Sequence, residues 1–299
     1  MSDRPVIVIG AGPAGLAASL QLKRQGIEPL LIEKRVVGGL LNNAYLVENY
    51  PGFPDGISGH DLASKMYEQI IDWGIVIDHD SVTSVRYDGR RFQVITGKGM
   101  THTARYMIIA SGTVPKTLDK ISMNVPSDRI FYDVISCEEN THKRFVIIGT
   151  GDAAFDYALN LSRNNTVTII GRSNRCRSLD ILYKRALASS HICIHLNTII
   201  QEIQQKTDDT LCLKCQRDTE TIHLTADFLI VAIGRKPCVD FFDQSIISTL
   251  SESRDKGILH LIGDVQNGQY RQTAIAVGDG IRAAMLIAEH IANDQDLQK

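Results

Sequence analysis

The sequence predicts an α/β protein made of two similar units, and three observations predict it. First, a short apolar run, Val6 to Ile9, breaks into Gly10-Ala-Gly12-Pro-Ala-Gly15, and an alanine- and leucine-rich helical pattern follows at once. Second, another apolar run, Pro29 to Ile32, ends in the acid Glu33, at the spacing of about 20 residues that a dinucleotide fold uses. Third, the order recurs: Arg144 to Ile148, then Gly149-Thr-Gly151-Asp-Ala-Ala154, a helix over Phe155 to Ser162 and a strand over Thr166 to Ile170.

In the first copy Gly10 permits the tight turn, Gly12 lets backbone approach a pyrophosphate, and Gly15 lets the helix pack on the strand. Pro13 and Ala14 open the helix, whose N-terminus favours an anion. The helix runs to about Gln25 and Gly26 stops it. Glu33, followed by Lys34, stands where ribose hydroxyls would be met. In the second copy alanine is the third small residue, which the pattern allows. The two copies differ where specificity is set. The second strand of the second copy ends in Gly171-Arg172, with Arg175 and Arg177 close behind. Arginine there suits a 2′-phosphate by charge and bidentate geometry. That reading favours NADP(H), with NAD(H) as the alternative. Gly149, Gly151, Asp152, Ala153, Arg172 and Arg177 are its expected binding residues.

The 299 residues leave room for two domains. A composition of 43% hydrophobic and 22% charged residues is that of a soluble globular protein. The net charge of −2 argues against nucleic acid and anionic membranes as partners. No apolar run reaches the roughly 18 residues of a membrane span. The first strand begins near Pro5 and leaves no room for a signal peptide, so a cytoplasmic protein is expected. The six cysteines are scattered and do not read as a disulfide framework. Cys212 and Cys215 would point to opposite faces of one strand and lack zinc spacing, so no metal site is expected.

The intervening chain reads in order. Gly38-Gly39-Leu40 through Glu48-Asn49-Tyr50-Pro51-Gly52 is a punctuated loop of the kind that carries function. A helix is expected over Gly59 to Trp73. Strands are expected over Ile75 to Ile77, Ser81 to Tyr87 and Arg91 to Thr96, with Arg90 and Arg91 at a solvated hairpin tip. Tyr106 to Ser111-Gly112 reads as a buried strand, and Phe228 to Gly234 echoes it. Between them come a helix over Leu179 to Ala188 and strands over Ile192 to Leu196, Thr198 to Gln204, Thr210 to Gln216 and Thr221 to Leu224. The strand Gly257 to Ile262 ends in Gly263-Asp264, which can meet a polyol, and a final helix runs from Ile281 to about Ala292.

Taken together, these pieces resemble the low-molecular-weight thioredoxin-reductase-like flavoproteins. The resemblance covers nearly the whole chain. It rests on Gly10/Gly12/Gly15 with Glu33, Gly38-Gly39 with Val47 to Gly52, Ala110-Ser111-Gly112, Gly149-Thr-Gly151, Val231 to Gly234, Gly263-Asp264 and Tyr270-Arg271-Gln272. It implies two Rossmann-like domains of the three-layer ββα kind, the second inserted into the first. FAD would be held by residues 1–114 and 241–299, and NAD(P)H by residues 115–240. It implies Asp264 at the ribitol, and Asn49, Arg271, Gln272 and Thr273 near the isoalloxazine. It also implies a homodimer.

The family's reductases carry a C-x-x-C pair where this chain has Tyr132-Asp-Val-Ile135, and only Cys137 lies nearby. Of the NADP signature H-R-R-x-x-x-R, Arg172 and Arg177 are kept and Ser173 replaces the middle arginine. The branch without the pair is the ferredoxin/flavodoxin–NADP reductases of thioredoxin-reductase type, which Phe131 to Val134 and Gly151 to Leu159 resemble. That branch's C-terminal aromatic has no counterpart beyond Tyr270, where only His290 has a comparable ring. The expected function is therefore electron transfer between NAD(P)H and an external acceptor through FAD, with no side chain acting as acid or base. A thiol route through Cys137 and a flavin-binding sensor with a degenerate nicotinamide site are the alternatives.

Overall fold

A computed structural model describes residues 2–118 and 122–296. The chain divides into two compact units. One comprises residues 1–42, 47–114 and 237–299, and the other residues 43–46 and 115–236.

The first unit opens with β1 (Ser2–Ile9), α1 (Pro13–Arg24) and β2 (Pro29–Glu33), followed by a short 3-10 helix over Gly39–Asn43. Next come α2 (Gly59–Asp72), β3 (Ile77–His79), β4 (Val82–Tyr87), β5 (Phe92–Thr96), β6 (Thr101–Ile109) and β7 (Thr113–Pro115). Among the described residues the sheet order is β3-β2-β1-β6-β5-β4. Parallel pairing joins β3, β2, β1 and β6, whereas β5 and β4 form an antiparallel meander. Period-two alternation sorts the apolar residues into two layers. Val6, Val8, Tyr106 and Ile108 face α1 and its neighbours, and Ile7, Ile9, Met107 and Ile109 pack with Val85, Phe92 and Val94 of the meander.

The second unit repeats that plan. It contains β8 (Ser122–Asn124), β9 (Ile130–Phe131), β10 (Arg144–Ile148), α3 (Asp152–Leu161), β11 (Thr166–Ile170) and α4 (Asp180–Ala188). β12 (Ile192–His195), β13 (Thr198–Gln205), β14 (Leu211–Arg217), β15 (Glu220–Ala226) and β16 (Phe228–Val231) follow. A parallel sheet runs β12-β11-β10-β16-β9, and β15-β14-β13-β8 forms the second sheet. Phe145 and Ile147 pack on Phe155 and Ala158 of α3, whereas Val146 and Ile148 pack on Leu211, Leu213 and Cys215. The layers are thus helix, parallel sheet and antiparallel sheet in each unit.

The chain returns through β17 (Arg235–Pro237), which pairs with β7, and then forms α5 (Gln244–Asp255), β18 (Leu259–Leu261) and α6 (Thr273–Asp296). β18 joins β6 in parallel and α6 packs along α1. The returning segment belongs to the first unit from Pro237, not from Phe241. The reason is local. The N–H of Cys238 donates to the Gly112 carbonyl, and the Ser111 hydroxyl donates to the Cys238 carbonyl.

Several elements differ from the sequence reading, among them β7, which stands where a linker is expected, and three have a clear local cause. α5 is absent from it, because Ser245, Thr249 and Ser251 give this segment weak intrinsic helicity. Tertiary packing of Ile246 and an Asp243 cap on the Ser245 N–H supply what propensity lacks. α6 begins at Thr273, not Ile281, since Gly278 and Gly280 mask its first turns. There Gly280 packs on the Ala14 carbonyl, where a Cβ would come within 2.2 Å. β3 starts at Ile77, because Ile75 closes the end of α2 through its N–H to the Ile70 carbonyl. No helix among the described residues is long and apolar enough to cross a membrane.

Candidate functional site

Each unit carries the same turn in the same backbone geometry. In the first, the Gly10 N–H donates to Ile32 and the Ala110 N–H to Ile9, fixing the turn between β2 and β6. Gly10 has φ +103°, and a Cβ on it would lie 2.4 Å from the Ala110 oxygen. In the second, the Gly149 N–H donates to Ile170 and the Ala232 N–H to Ile148. Gly149 has φ +133°, and its Cβ would lie 2.3 Å from the Ala232 oxygen. Both glycines are demanded by the protein itself. Gly15 is too, since its Cβ would sit 1.8 Å from the Gly10 oxygen.

Gly12 and Gly151 are different. Their φ values are −75° and −92°, which any residue adopts, and a Cβ on either would meet nothing within 4 Å. The fold itself does not require glycine there, whereas close approach of an external group to the backbone would. Both glycines are N-caps without a side-chain cap, so the first-turn N–H groups face the same open space. The first turn of α1 carries no acid to repel an anion. That arrangement has the form a pyrophosphate cradle requires.

Around the first cradle, Glu33 is buried. Its Oε2 accepts from the Ala11 N–H at 2.6 Å and its Oε1 from the Arg35 N–H at 2.8 Å. A carboxylate has about four acceptor positions, so both oxygens retain capacity for hydroxyl donors. Lys34 is exposed, with its Nζ 3.7 Å from the Cys238 sulfur. Gly38 donates to Ala11, and Gly39 comes so close that its Cβ would lie 3.5 Å from the Gly12 Cα. Leu40 follows, half-buried, in the 3-10 helix. Gly112, at φ +65°, has open space where a Cβ would project.

Farther along, Asn49 Nδ2 donates to Gln272 Oε1 at 2.8 Å, which joins two of the expected isoalloxazine residues. Arg271 keeps its buried Nε–H without a partner, and Thr273 starts α6. A buried orphan donor is rare in a protein interior, and an acceptor-bearing ligand would satisfy this one. Gly263 has φ +69°, and Asp264 stands half-buried beside it.

Sequence reasoning missed the residue that holds this turn. Asp279 Oδ2 accepts from the Gly263 N–H at 3.1 Å and from Asn267 Nδ2 at 2.7 Å. Its signal was an acid between Gly278 and Gly280 on α6, one turn from the strand end only after folding. Asp279→Ala should release the turn and weaken FAD retention about thirtyfold, at roughly 1 kcal/mol for each of the two lost hydrogen bonds. Loss of flavin on gel filtration checks this.

The second cradle is built from α3 and the loop after β11. The Arg177 N–H donates to the Thr150 carbonyl at 2.8 Å, which draws the arginine loop against the glycine turn. Asp152 Oδ1 accepts from the Leu179 N–H at 2.8 Å, so this acid braces the loop, and Ala153 lies exposed after it. Arg172, Arg175 and Arg177 are all exposed.

Two thiols lie beside cradle residues, Cys238 near Lys34 and Cys176 within the arginine loop, whereas Cys137 and Cys215 are buried in apolar cores. Cys137 is 1% exposed, and its Sγ lies 3.2 Å from the Val134 carbonyl. Burial first, then the charges of Asp133 and Glu138, push its thiol up to about 12. Cys215 is buried in the core under β14, and Cys212 lies on the other face beside His223. All six cysteines are free. Tyr132 packs half-buried into the apolar core, and Val134 is fully buried in the layer below α3.

With this geometry, residues 4–280 match the family model of the pyridine nucleotide-disulphide oxidoreductases. The chain belongs to that family. A thioredoxin reductase of Streptomyces clavuligerus is 33% identical over 98% of this chain and 95% of its own length. One of Treponema pallidum is 31% identical over 97% and 98%. Among solved structures, Lactococcus lactis thioredoxin reductase in its FR conformation superposes with a TM-score of 0.84, at 26% identity, covering 97% of this chain and 99% of that one. This pyridine nucleotide-disulphide oxidoreductase is thus a thioredoxin-reductase-like flavoprotein, an FAD-dependent NAD(P)H oxidoreductase akin to the thioredoxin reductases, a family that uses FAD and NADPH. The two cradles, the open faces of Gly12 and Gly151 and the orphan Arg271 donor fit those groups.

Proposed function

We propose that the protein passes electrons from NADPH to an external acceptor, a carrier protein of the ferredoxin or flavodoxin kind, with no redox disulfide of its own. The carrying observation is the segment 132–137. Where the resembling reductases have two cysteines, Tyr132 and Ile135 stand, and the neighbouring Cys137 is sealed in the core with a raised thiol. A buried neutral thiol is neither a nucleophile nor half of a disulfide couple.

FAD, once bound, supplies the hydride and single-electron chemistry. The chain's part is to bind, orient and exclude. Gly10, Gly12, Pro13, Ala14 and Gly15 present the α1 N-terminus to the pyrophosphate. Glu33 and Lys34 take the adenosine end, and Gly39, Leu40 and Gly112 close over the middle. Asp264 meets the ribitol, and Asn49, Arg271, Gln272 and Thr273 border the isoalloxazine. NADPH lies on Gly149, Gly151, Asp152 and Ala153, with its 2′-phosphate on Arg172 and Arg177. No side chain is asked to move a proton. Residues 1–114 and 237–299 would then form the FAD domain and residues 115–236 the NADPH domain of a cytoplasmic homodimer.

The names of the relatives favour a second acceptor, thioredoxin. An anaerobic panel of ferredoxin, flavodoxin, quinone, thioredoxin and oxygen separates the two. Turnover with a one-electron carrier and none with thioredoxin is expected; the reverse result overturns the proposal. Cys137→Ser should leave turnover within about twofold of the parent, because a thiol with its proton held by burial takes no part. Abolished turnover in a folded Cys137→Ser variant would establish the thiol route instead.

A further inference from the structure

The arginine loop after β11 is one wall of the expected 2′-phosphate site, and Ser173 stands where the family signature has its middle arginine, with Arg175 two residues farther on. The fold brings a second wall beside it. β11 and β12 end level, with Ile170 in register with His195, and the Gly171 N–H donates to the His195 carbonyl at 2.8 Å. The Asn197 N–H donates to the Ser173 carbonyl, and Thr198 pairs with Arg217 across β13 and β14. Arg217 is therefore brought to the segment in which the middle arginine is missing, from far along the chain.

Its side chain is aimed by His195. Arg217 Nη1 lies 3.4 Å from His195 Nδ1, and His195 Nε2 lies 3.3 Å from the Cys193 sulfur. Burial, then the charge of Arg217, lowers His195 from its ordinary range, so the ring is neutral and can accept from the guanidinium. With Nδ1 accepting, the ring proton sits on Nε2 and points to the Cys193 sulfur. Arg217 is exposed, and it has no ion pair among the described residues. A guanidinium held by a neutral histidine keeps its full charge and several donors for an incoming anion.

We propose that Arg217, positioned by His195, is a specificity-determining contact for the 2′-phosphate of NADPH, supplying from β14 a guanidinium beside Ser173, where the signature's middle arginine is absent. This rests on the NADPH reading of the second cradle. The discriminating ligand group is a phosphate monoester on the adenosine ribose, absent from NADH.

The test is calorimetric binding of adenosine 2′-monophosphate and adenosine 5′-monophosphate to the flavin-loaded protein. Parent protein, Arg172→Gln, Arg217→Gln and His195→Gln are compared. Arg217→Gln should weaken the 2′-monophosphate about tenfold, the worth of one charge-assisted hydrogen bond, and leave the 5′-monophosphate unchanged. His195→Gln should show a smaller loss of the same kind, because the amide can still accept from Arg217. In steady state, KM for NADPH should rise in Arg217→Gln while kcat and the NADH parameters hold. Unchanged 2′-monophosphate affinity in Arg217→Gln, with a loss in Arg172→Gln, overturns this inference alone. A parent protein that does not distinguish the two monophosphates overturns the NADPH reading and this inference with it. A charge effect equal for both ligands also overturns it, since Arg217 would then be general attraction.

Discussion

Gly12→Ala is expected to purify folded and colourless. The substituted methyl meets no protein atom within 4 Å, and φ at −75° suits alanine. Alanine at the start of a helix even removes some unfolded-chain entropy, worth roughly 0.4–1 kcal/mol. The same methyl would stand where backbone and pyrophosphate must touch, so FAD is lost. Gly15→Ala should behave in the opposite way. Its Cβ would lie 1.8 Å from the Gly10 oxygen, a backbone atom that cannot move without parting α1 from β1. That variant should lose the first unit altogether. Visible flavin absorbance together with circular dichroism separates the outcomes. A yellow Gly12→Ala protein would remove the ligand explanation for this glycine, and a stable Gly15→Ala protein would show that the helix can slide.

The second large effect is a stability profile against pH. Asp156 on α3 accepts from the Tyr45 N–H at 2.9 Å, and the Tyr45 ring lies under the Arg163 guanidinium. Asn43 Oδ1, in the same short stretch, accepts from the N–H groups of Val134 and Ile135. Residues 43–46 are thereby clasped within the second unit. Burial raises the Asp156 carboxyl from 3.8 to about 6, partly opposed by the N–H groups of Tyr45 and Leu46. The folded state therefore binds the proton more tightly than the unfolded state does. Stability is highest below pH 3.8 as far as this group is concerned, and it is lost as pH rises to about 6. The loss is on the order of 3 kcal/mol once the carboxyl is fully ionised. Asp156→Asn keeps an acceptor for the Tyr45 N–H and has no charge to bury. Its stability relative to the parent should thus rise between pH 4 and 6 and level off above. Denaturant unfolding across this range provides the measurement. A difference that does not vary with pH would mean that the carboxylate is well solvated.

The legibility of this protein is uneven for physical reasons. The two glycine turns could be read because their requirements are local: a positive φ, an N-terminal dipole and a run of β-branched residues lie within a dozen positions. The layer plan was implied by the family resemblance, and alternation along Val6–Ile9 and Phe145–Ile148, which sends neighbours to opposite faces, is what builds it. α5 was not readable, because its helicity comes from Ile246 in the core and from Asp243 at its cap, not from its serines. Asp279 was not readable as a brace, because its partners on the Gly263 turn are met only when α6 lies down. His195 lay within an expected strand and Arg217 just past the end of another, and nothing local joins either to Ser173.

By itself the sequence determined that two dinucleotide cradles exist, that one ends in an acid and the other in arginines, and that no cysteine pair stands between them. These follow from residue type at fixed short spacing. Only the tertiary structure decided that Cys137 is sealed away, which glycines the fold itself demands and which it does not, and which distant residues lie beside each glycine turn. Burial and steric contact depend on what other strands and helices bring to a position, and no short stretch of chain carries that information.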